Sequence, residues 1–215
     1  MTGARRAPIL GAHETHSSLN EDPMAAVAKR EREGRGRMSE LAEIIRARSI
    51  RIGHFTLASG RQSDLYINLK PTMMDPRGGR LCAEAFLARI PPGIDYVGGI
   101  EMGAVPVIAA LAALSDIEGR PVKTFFVRKA AKDHGTREVV EGLAAGESLK
   151  GKRVLAVDDV ATTGGSILQS IEAARSVGAI VEHALVIIDR QEGGTEALAA
   201  AGVKLHSVFK GDDFR

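Results

Sequence analysis

From residue 76 onward, short apolar runs alternate with longer segments of helical periodicity. The short runs predict strands near Tyr96–Ile100, Val122–Val127, Arg153–Val157, Val181–Ile188 and Val203–Val208. The longer segments predict helices near Pro76–Ile90, Ala104–Leu114, Ser166–Val177 and Thr195–Ala201. Right-handed crossovers then give an α/β fold, a parallel sheet with helices on both faces. Residues 39–70 break the alternation. There Leu41, Ile44, Ile45 and Ile52 recur at helical spacing behind Ser39, a suitable N-cap. This segment is expected to form a small hood over the strand ends. Residues 1–37 hold no continuous apolar run and read as a disordered extension, with Met38 a candidate start. The domain is then 38–215, with a hood at about 38–75 and a core at about 76–215.

Composition narrows the picture. The 215 residues fit one domain with an appendage, and 44% are apolar, enough for a full core. Trp is absent and aromatics are only 4%, so that core is aliphatic. Cys82 is the single cysteine, which excludes an intrachain disulfide and points to the cytoplasm. The first 37 residues carry seven basic and five acidic side chains, and the remainder 22 of each. The core is therefore neutral, which argues against a nucleic-acid surface. No apolar run reaches the ~18 residues that a membrane span requires.

The chemistry concentrates in Val154–Ser166. A β-branched run ends in Asp158 and Asp159, followed by Val160, Ala161 and the turn Thr162-Thr163-Gly164-Gly165-Ser166. In an open α/β sheet, ligands bind beyond the carboxyl ends of strands. Backbone N–H groups, hydroxyls and a helix N-terminus suit a phosphate. The acidic pair adds groups for hydroxyls or a metal, so a ribose phosphate fits the whole. Consecutive strand residues point to opposite faces, so Asp158 and Asp159 are expected to do different jobs. Glycine-bearing strand–turn–helix units also occur without a phosphate, and the acidic pair is what separates this one from them.

A second segment, Phe125–Gly135, begins as a strand and turns abruptly polar, with Arg128, Lys129, Lys132 and His134 close together. With Gly135, Gly142 and Gly146 beyond, residues Lys132 to Leu149 read as a mobile loop. Such a loop is either a lid over a pyrophosphate or a solvated charged turn, diluted by Asp133, Glu138 and Glu141.

The strand–Asp-Asp–turn resembles the 5-phosphoribosyl 1-pyrophosphate (PRPP) motif of type I phosphoribosyltransferases. The pattern Arg128-Lys129-x-x-Lys132-x-His134-Gly135 resembles the catalytic loop of the orotate phosphoribosyltransferases. Residues His54 to Lys70 and the run Asp189-Arg190-Gln191-Glu192 are similar to two further segments of that family. The resemblance runs from about Ser39 to the C-terminus.

It implies transfer of the phosphoribosyl group of PRPP to orotate, giving orotidine 5'-monophosphate and pyrophosphate in pyrimidine biosynthesis. It implies PRPP binding by Arg128, Lys129, Lys132, His134 and the run Asp158 to Ser166, with Lys129, Lys132, His134 and Asp159 catalytic. Orotate falls to Thr162, Arg190, Tyr66 and Lys70, with Arg190 on the orotate carboxylate. Mg²⁺ is expected mainly through PRPP and water, without a protein cage. The resemblance also implies a homodimer whose lid acts in trans. Two departures stand out, because Ala58 replaces a lysine that many members carry and the Met102-Gly103 turn lacks one that some carry. A transferase for another base would share the Asp-Asp turn without the lid pattern, and a non-catalytic PRPP sensor would keep the turn and lose the chemistry.

Overall fold

The computed structural model describes residues 23–56, 62–129 and 139–215. The chain forms two compact units, Met1–Arg35 and Gly36–Arg215. In the first, the described residues belong to helix α1 (Pro23–Ser49), and Glu31 pairs with Arg35 one turn on at 3.9 Å. Ser39 thus sits inside α1 and is not its N-cap. The Ala, Arg, Lys and Glu residues before it are good helix formers, and a hydroxyl alone does not set a boundary against them.

The second unit begins with the hood. Strands β1 (Ile50–Thr56) and β2 (Gln62–Ile67) form an antiparallel ribbon in which Ile52 opposes Leu65. Ile52, expected on a helix, is therefore on a strand and 75% exposed. Helix α1 ends at Ser49, whose hydroxyl meets the Thr72 hydroxyl at 2.6 Å, and the β-branched residues beyond continue as a strand. Leu41 and Ile45 of α1 are fully buried with Leu69, Leu81 and Phe86, which fixes the hood to the core.

Two short helices lead into the sheet: α2 (Lys70–Met73) and α3 (Pro76–Leu87). Asp75 starts α3 by accepting the N–H groups of Arg77 and Gly78, and Pro76 takes the first helical position. The strands are β3 (Tyr96–Ile100), β4 (Lys123–Val127), β5 (Val140–Glu141), β6 (Arg153–Ala161), β7 (Ile180–Asp189) and β8 (Lys204–Lys210). Helices α4 (Val105–Ile117), α5 (Gly165–Ser176) and α6 (Gly194–Ala200) connect them. The sheet order is β5-β4-β3-β6-β7-β8.

The five longer strands are parallel, as the alternation predicts, and β5 is an antiparallel addition at one edge. This corrects the wholly parallel expectation and trims the expected mobile loop. Val140 and Glu141 pair with Val127 and Phe126, and Leu149 is buried. Those apolar side chains bind the later half of the segment to the core.

Two mainly aliphatic clusters cover the sheet, one around Leu81, Phe86, Val107 and Leu155, the other around Val127, Ile167, Ile171 and Val186. The backbones pack tightly at Gly99, where an added Cβ would lie 1.9 Å from the Val157 carbonyl oxygen. The absence of a side chain there lets β3 lie against β6 and brings their carboxyl ends together. Among the described residues, no helix is long and apolar enough to cross a membrane.

Candidate functional site

β6 runs four residues past the predicted Val157, so Asp158 and Asp159 stand on the strand itself. The extension is a tertiary effect. Pairing with β7 continues through Asp158↔Val186 to Ala161↔Asp189, and the ladder holds polar residues that would not form a strand alone. The two carboxylates have different partners. Asp158 is only 3% exposed, accepts the Ser166 hydroxyl at 2.7 Å and takes the Asp159 N–H at 2.9 Å. Asp159 accepts the Val160 N–H at 2.9 Å and lies 3.9 Å from Lys70 Nζ.

Both nevertheless converge on Gly103. A Cβ there would lie 1.9 Å from Asp158 Oδ1 and 3.0 Å from Asp159 Oδ1. Burial, then the charge of Asp159, raises the Asp158 pKa to about 7. Among the described residues, no group of three or more His, Cys, Asp or Glu side chains forms a metal cage. A cation at these carboxylates would take most of its ligands from substrate and water.

The turn after β6 opens into α5. Gly164 adopts a left-handed φ of 82° as its N-cap, and the first-turn N–H groups face out of the helix end. Ala161 and Gly164 are buried, Thr162 is half-buried, and Thr163, Gly165 and Ser166 are exposed. The turn after β7 packs directly beside this one. Arg190 N donates to Ala161 O at 2.9 Å, and a Cβ on Gly194 would stand 3.0 Å from Thr162 O.

Arg190 is 6% exposed. Glu192 Oε1 lies 2.7 Å from both its Nε and its Nη2, and Nη2 also reaches the Leu65 carbonyl of the hood at 3.3 Å. Below it, Asp189 accepts Lys210 Nζ and the Gln191 N–H, each at 2.8 Å, and the Thr195 hydroxyl at 3.2 Å. Burial works to raise the Asp189 pKa, but Lys210 and the Gln191 N–H outweigh it and hold the carboxyl below its ordinary value.

The remaining predicted residues divide into those near this centre and those elsewhere. Lys70 joins the carboxylate pair. Tyr66 is 40% exposed on β2 and stacks on Phe55 with ring centroids 5.5 Å apart. The Arg128 guanidinium lies on Glu141 at 3.4 Å, and its N–H donates to Val139 O. Lys129 is exposed, and its backbone N–H donates to Glu101 Oε1 at 3.0 Å. Lys132, His134 and Ala58 lie outside the described residues.

Sequence reasoning missed Glu101, Gly103 and Glu192. The glycine-rich turn after the Tyr96 strand was the available signal for the first two. Nothing in the linear pattern marks Glu192 as a partner of Arg190.

The chain is similar to known phosphoribosyltransferases. The phosphoribosyl transferase domain family matches residues 76–205. An orotate phosphoribosyltransferase of Rhodopseudomonas palustris (strain BisB18) is 52% identical over 177 residues, covering 82% of this chain and 95% of that one. The crystal structure of Mycobacterium tuberculosis orotate phosphoribosyltransferase with Fe(III) dicitrate superposes with a TM-score of 0.70 at 35% identity, covering 83% of this chain and 98% of that one. The same enzyme in complex with PRPP gives a TM-score of 0.66 at 32% identity, with the same coverage.

Proposed function

This chain belongs to the orotate phosphoribosyltransferases, and on that premise we propose how its residues share the transfer of the phosphoribosyl group from PRPP to orotate. The reaction makes orotidine 5'-monophosphate and pyrophosphate in pyrimidine biosynthesis. The C1–O bond to pyrophosphate breaks and a bond from C1 to a ring nitrogen of orotate forms. Positive charge develops on the ribose and negative charge on the leaving group, so catalysis is positioning and electrostatics.

The observation that carries the assignment is the pair of adjoining turns. One presents a helix N-terminus and two carboxylates, the other a buried arginine. The Thr162–Ser166 turn holds the donor's 5'-phosphate, and Asp158 and Asp159 hold the ribose hydroxyls. Arg190 takes the orotate carboxylate, for which a planar fork is the matching donor. Thr162 and Tyr66 flank the base. Lys70, beside Asp159, supplies positive charge near the donor. Arg128, Lys129, Lys132 and His134 clamp the pyrophosphate and exclude water.

Mg²⁺ would be held mainly by PRPP and water, with Asp158 and Asp159 as the nearby carboxylates, and would neutralise charge on the pyrophosphate oxygens.

A homodimer is supported by an apolar groove of about 640 Å³ beside the site, lined in part by Met74, Met102, Val105, Ala109 and Ile117. Met74, Met102 and Ile117 are 72, 55 and 81% exposed, and Met102 adjoins Gly103. A second copy over this face brings its lid to the neighbouring site. The single, buried Cys82 is in keeping with a cytoplasmic enzyme.

Loss of orotate ultraviolet absorbance with PRPP and Mg²⁺ is the direct test. We expect turnover by the wild type and a collapse of about 10²-fold or more in Lys132→Ala. Mixing Lys132→Ala with Asp159→Asn subunits is expected to recover activity through one intact composite site. Retention of full activity by Lys132→Ala counts against the clamp, and absence of recovery counts against action in trans.

A further inference from the structure

The turn Asp189–Glu192 is shaped to bring a carboxylate back onto Arg190. β7 ends at Asp189, whose Oδ1 takes the N–H of Gln191 two residues on. Gln191 then adopts a left-handed φ of 61°, a conformation unusual for a residue other than glycine. The chain doubles back, and Glu192 Oε1 reaches both Nε and Nη2 of Arg190. Lys210 and Thr195 hold Asp189 from the other side.

A guanidinium is planar. Two contacts from Glu192 on the Nε–Nη2 edge, together with the contact to Leu65 O, hold its plane. The long side chain would otherwise lose rotamer freedom each time it met a substrate. The buried charge is also compensated before any substrate arrives.

We propose that Glu192 is a positioning residue that holds Arg190 ready for a carboxylate-bearing base, and that it thereby sets the preference for such a base. The proposal rests on the reading of Arg190 as the orotate partner. One other role is open to the same contact, in which Glu192 competes with the orotate carboxylate for the guanidinium. The two roles predict opposite signs. Loss of a positioning group weakens orotate binding, and loss of a competitor strengthens it.

The experiment is steady-state kinetics of the wild type, Glu192→Gln and Glu192→Asp, with the uncharged carboxamide of orotate as a competitive inhibitor. Glu192→Gln keeps the shape and loses the charge. We expect its KM for orotate to rise about tenfold. Its KM for PRPP and its inhibition by the carboxamide should stay within about twofold, because neither depends on the carboxylate contact. Glu192→Asp retains the charge on a shorter stem, so a smaller rise in the same direction is expected, and this variant serves if Glu192→Gln does not fold.

An unchanged or lowered KM for orotate in a variant that binds PRPP normally overturns the proposal. So does an equal loss toward orotate, carboxamide and PRPP, which indicates general damage to the site. A wild type that binds PRPP yet leaves orotate untouched overturns the underlying reading instead.

Discussion

The carboxyl ends of β6 and β7 lie side by side, with Ala161 opposite Asp189, and each carries a buried aspartate. Their surroundings differ sharply. Asp189 has an ammonium, a hydroxyl and a backbone N–H, and its pKa is held low. Asp158 has Ser166 and the Asp159 N–H, faces a second carboxylate, and is pushed up to about 7. The first arrangement is complete within the protein and serves to build the turn that carries Arg190. The second stores uncompensated electrostatic cost at the point proposed for the ribose hydroxyls. Where the fold leaves a charge unsatisfied marks where it expects a ligand.

Replacement of Asp158 breaks this contrast most strongly. Asp158→Asn is expected to cost about 10²–10³-fold in kcat/KM. The same change should raise the unfolding midpoint at pH 8 when PRPP and Mg²⁺ are omitted, since the buried charge is gone. Thermal melts and kinetics on one preparation test both signs, and a lowered midpoint at pH 8 contradicts the account.

Asp189→Asn is the matching experiment on the other strand. It should cost about 1–3 kcal/mol in denaturant unfolding, because the amide cannot satisfy Lys210, the Gln191 N–H and the Thr195 hydroxyl together. A raised KM for orotate should accompany it through the displaced turn. A loss confined to PRPP binding argues against that coupling.

The smallest effect sharpens the comparison through pH. The folded pKa of Asp158 is raised, so its contribution to stability is full below the ordinary carboxylate range and is lost as pH rises through about 7. Asp189 acts in the opposite sense. Its contribution is present above the ordinary range and is lost as pH falls through its lowered value. The wild-type unfolding midpoint should therefore decline from pH 5 to pH 8 more steeply than that of Asp158→Asn. Parallel curves for the two proteins rule out the raised value.

The elements legible in the sequence are those whose signal is local. The Tyr96–Ile100 strand has the bounds its apolar run predicts, and the Thr-Thr-Gly-Gly-Ser turn joins a strand end to a helix as the linear pattern suggests, with the Asp-Asp pair inside the strand. What escaped depends on pairing or on return of the chain. β6 is lengthened by its neighbour β7, and Val140–Glu141 becomes a strand only because β4 offers an edge. Ser39 is a good cap in isolation, but a favourable helix already runs through it. Glu192 lies two residues from Arg190, a spacing that says nothing until a left-handed residue turns the chain back.

The approach of Asp158 to Gly103 has a consequence for sequence variation. Asp158 Oδ1 occupies the volume in which any other residue at 103 would place its Cβ, so the two positions form one unit of change. A mutant library that varies position 103 alone therefore also shifts Asp158 Oδ1, the oxygen that accepts the Asp159 N–H. One that varies both positions explores a floor of different charge. Engineering at this corner therefore treats positions 103 and 158 together.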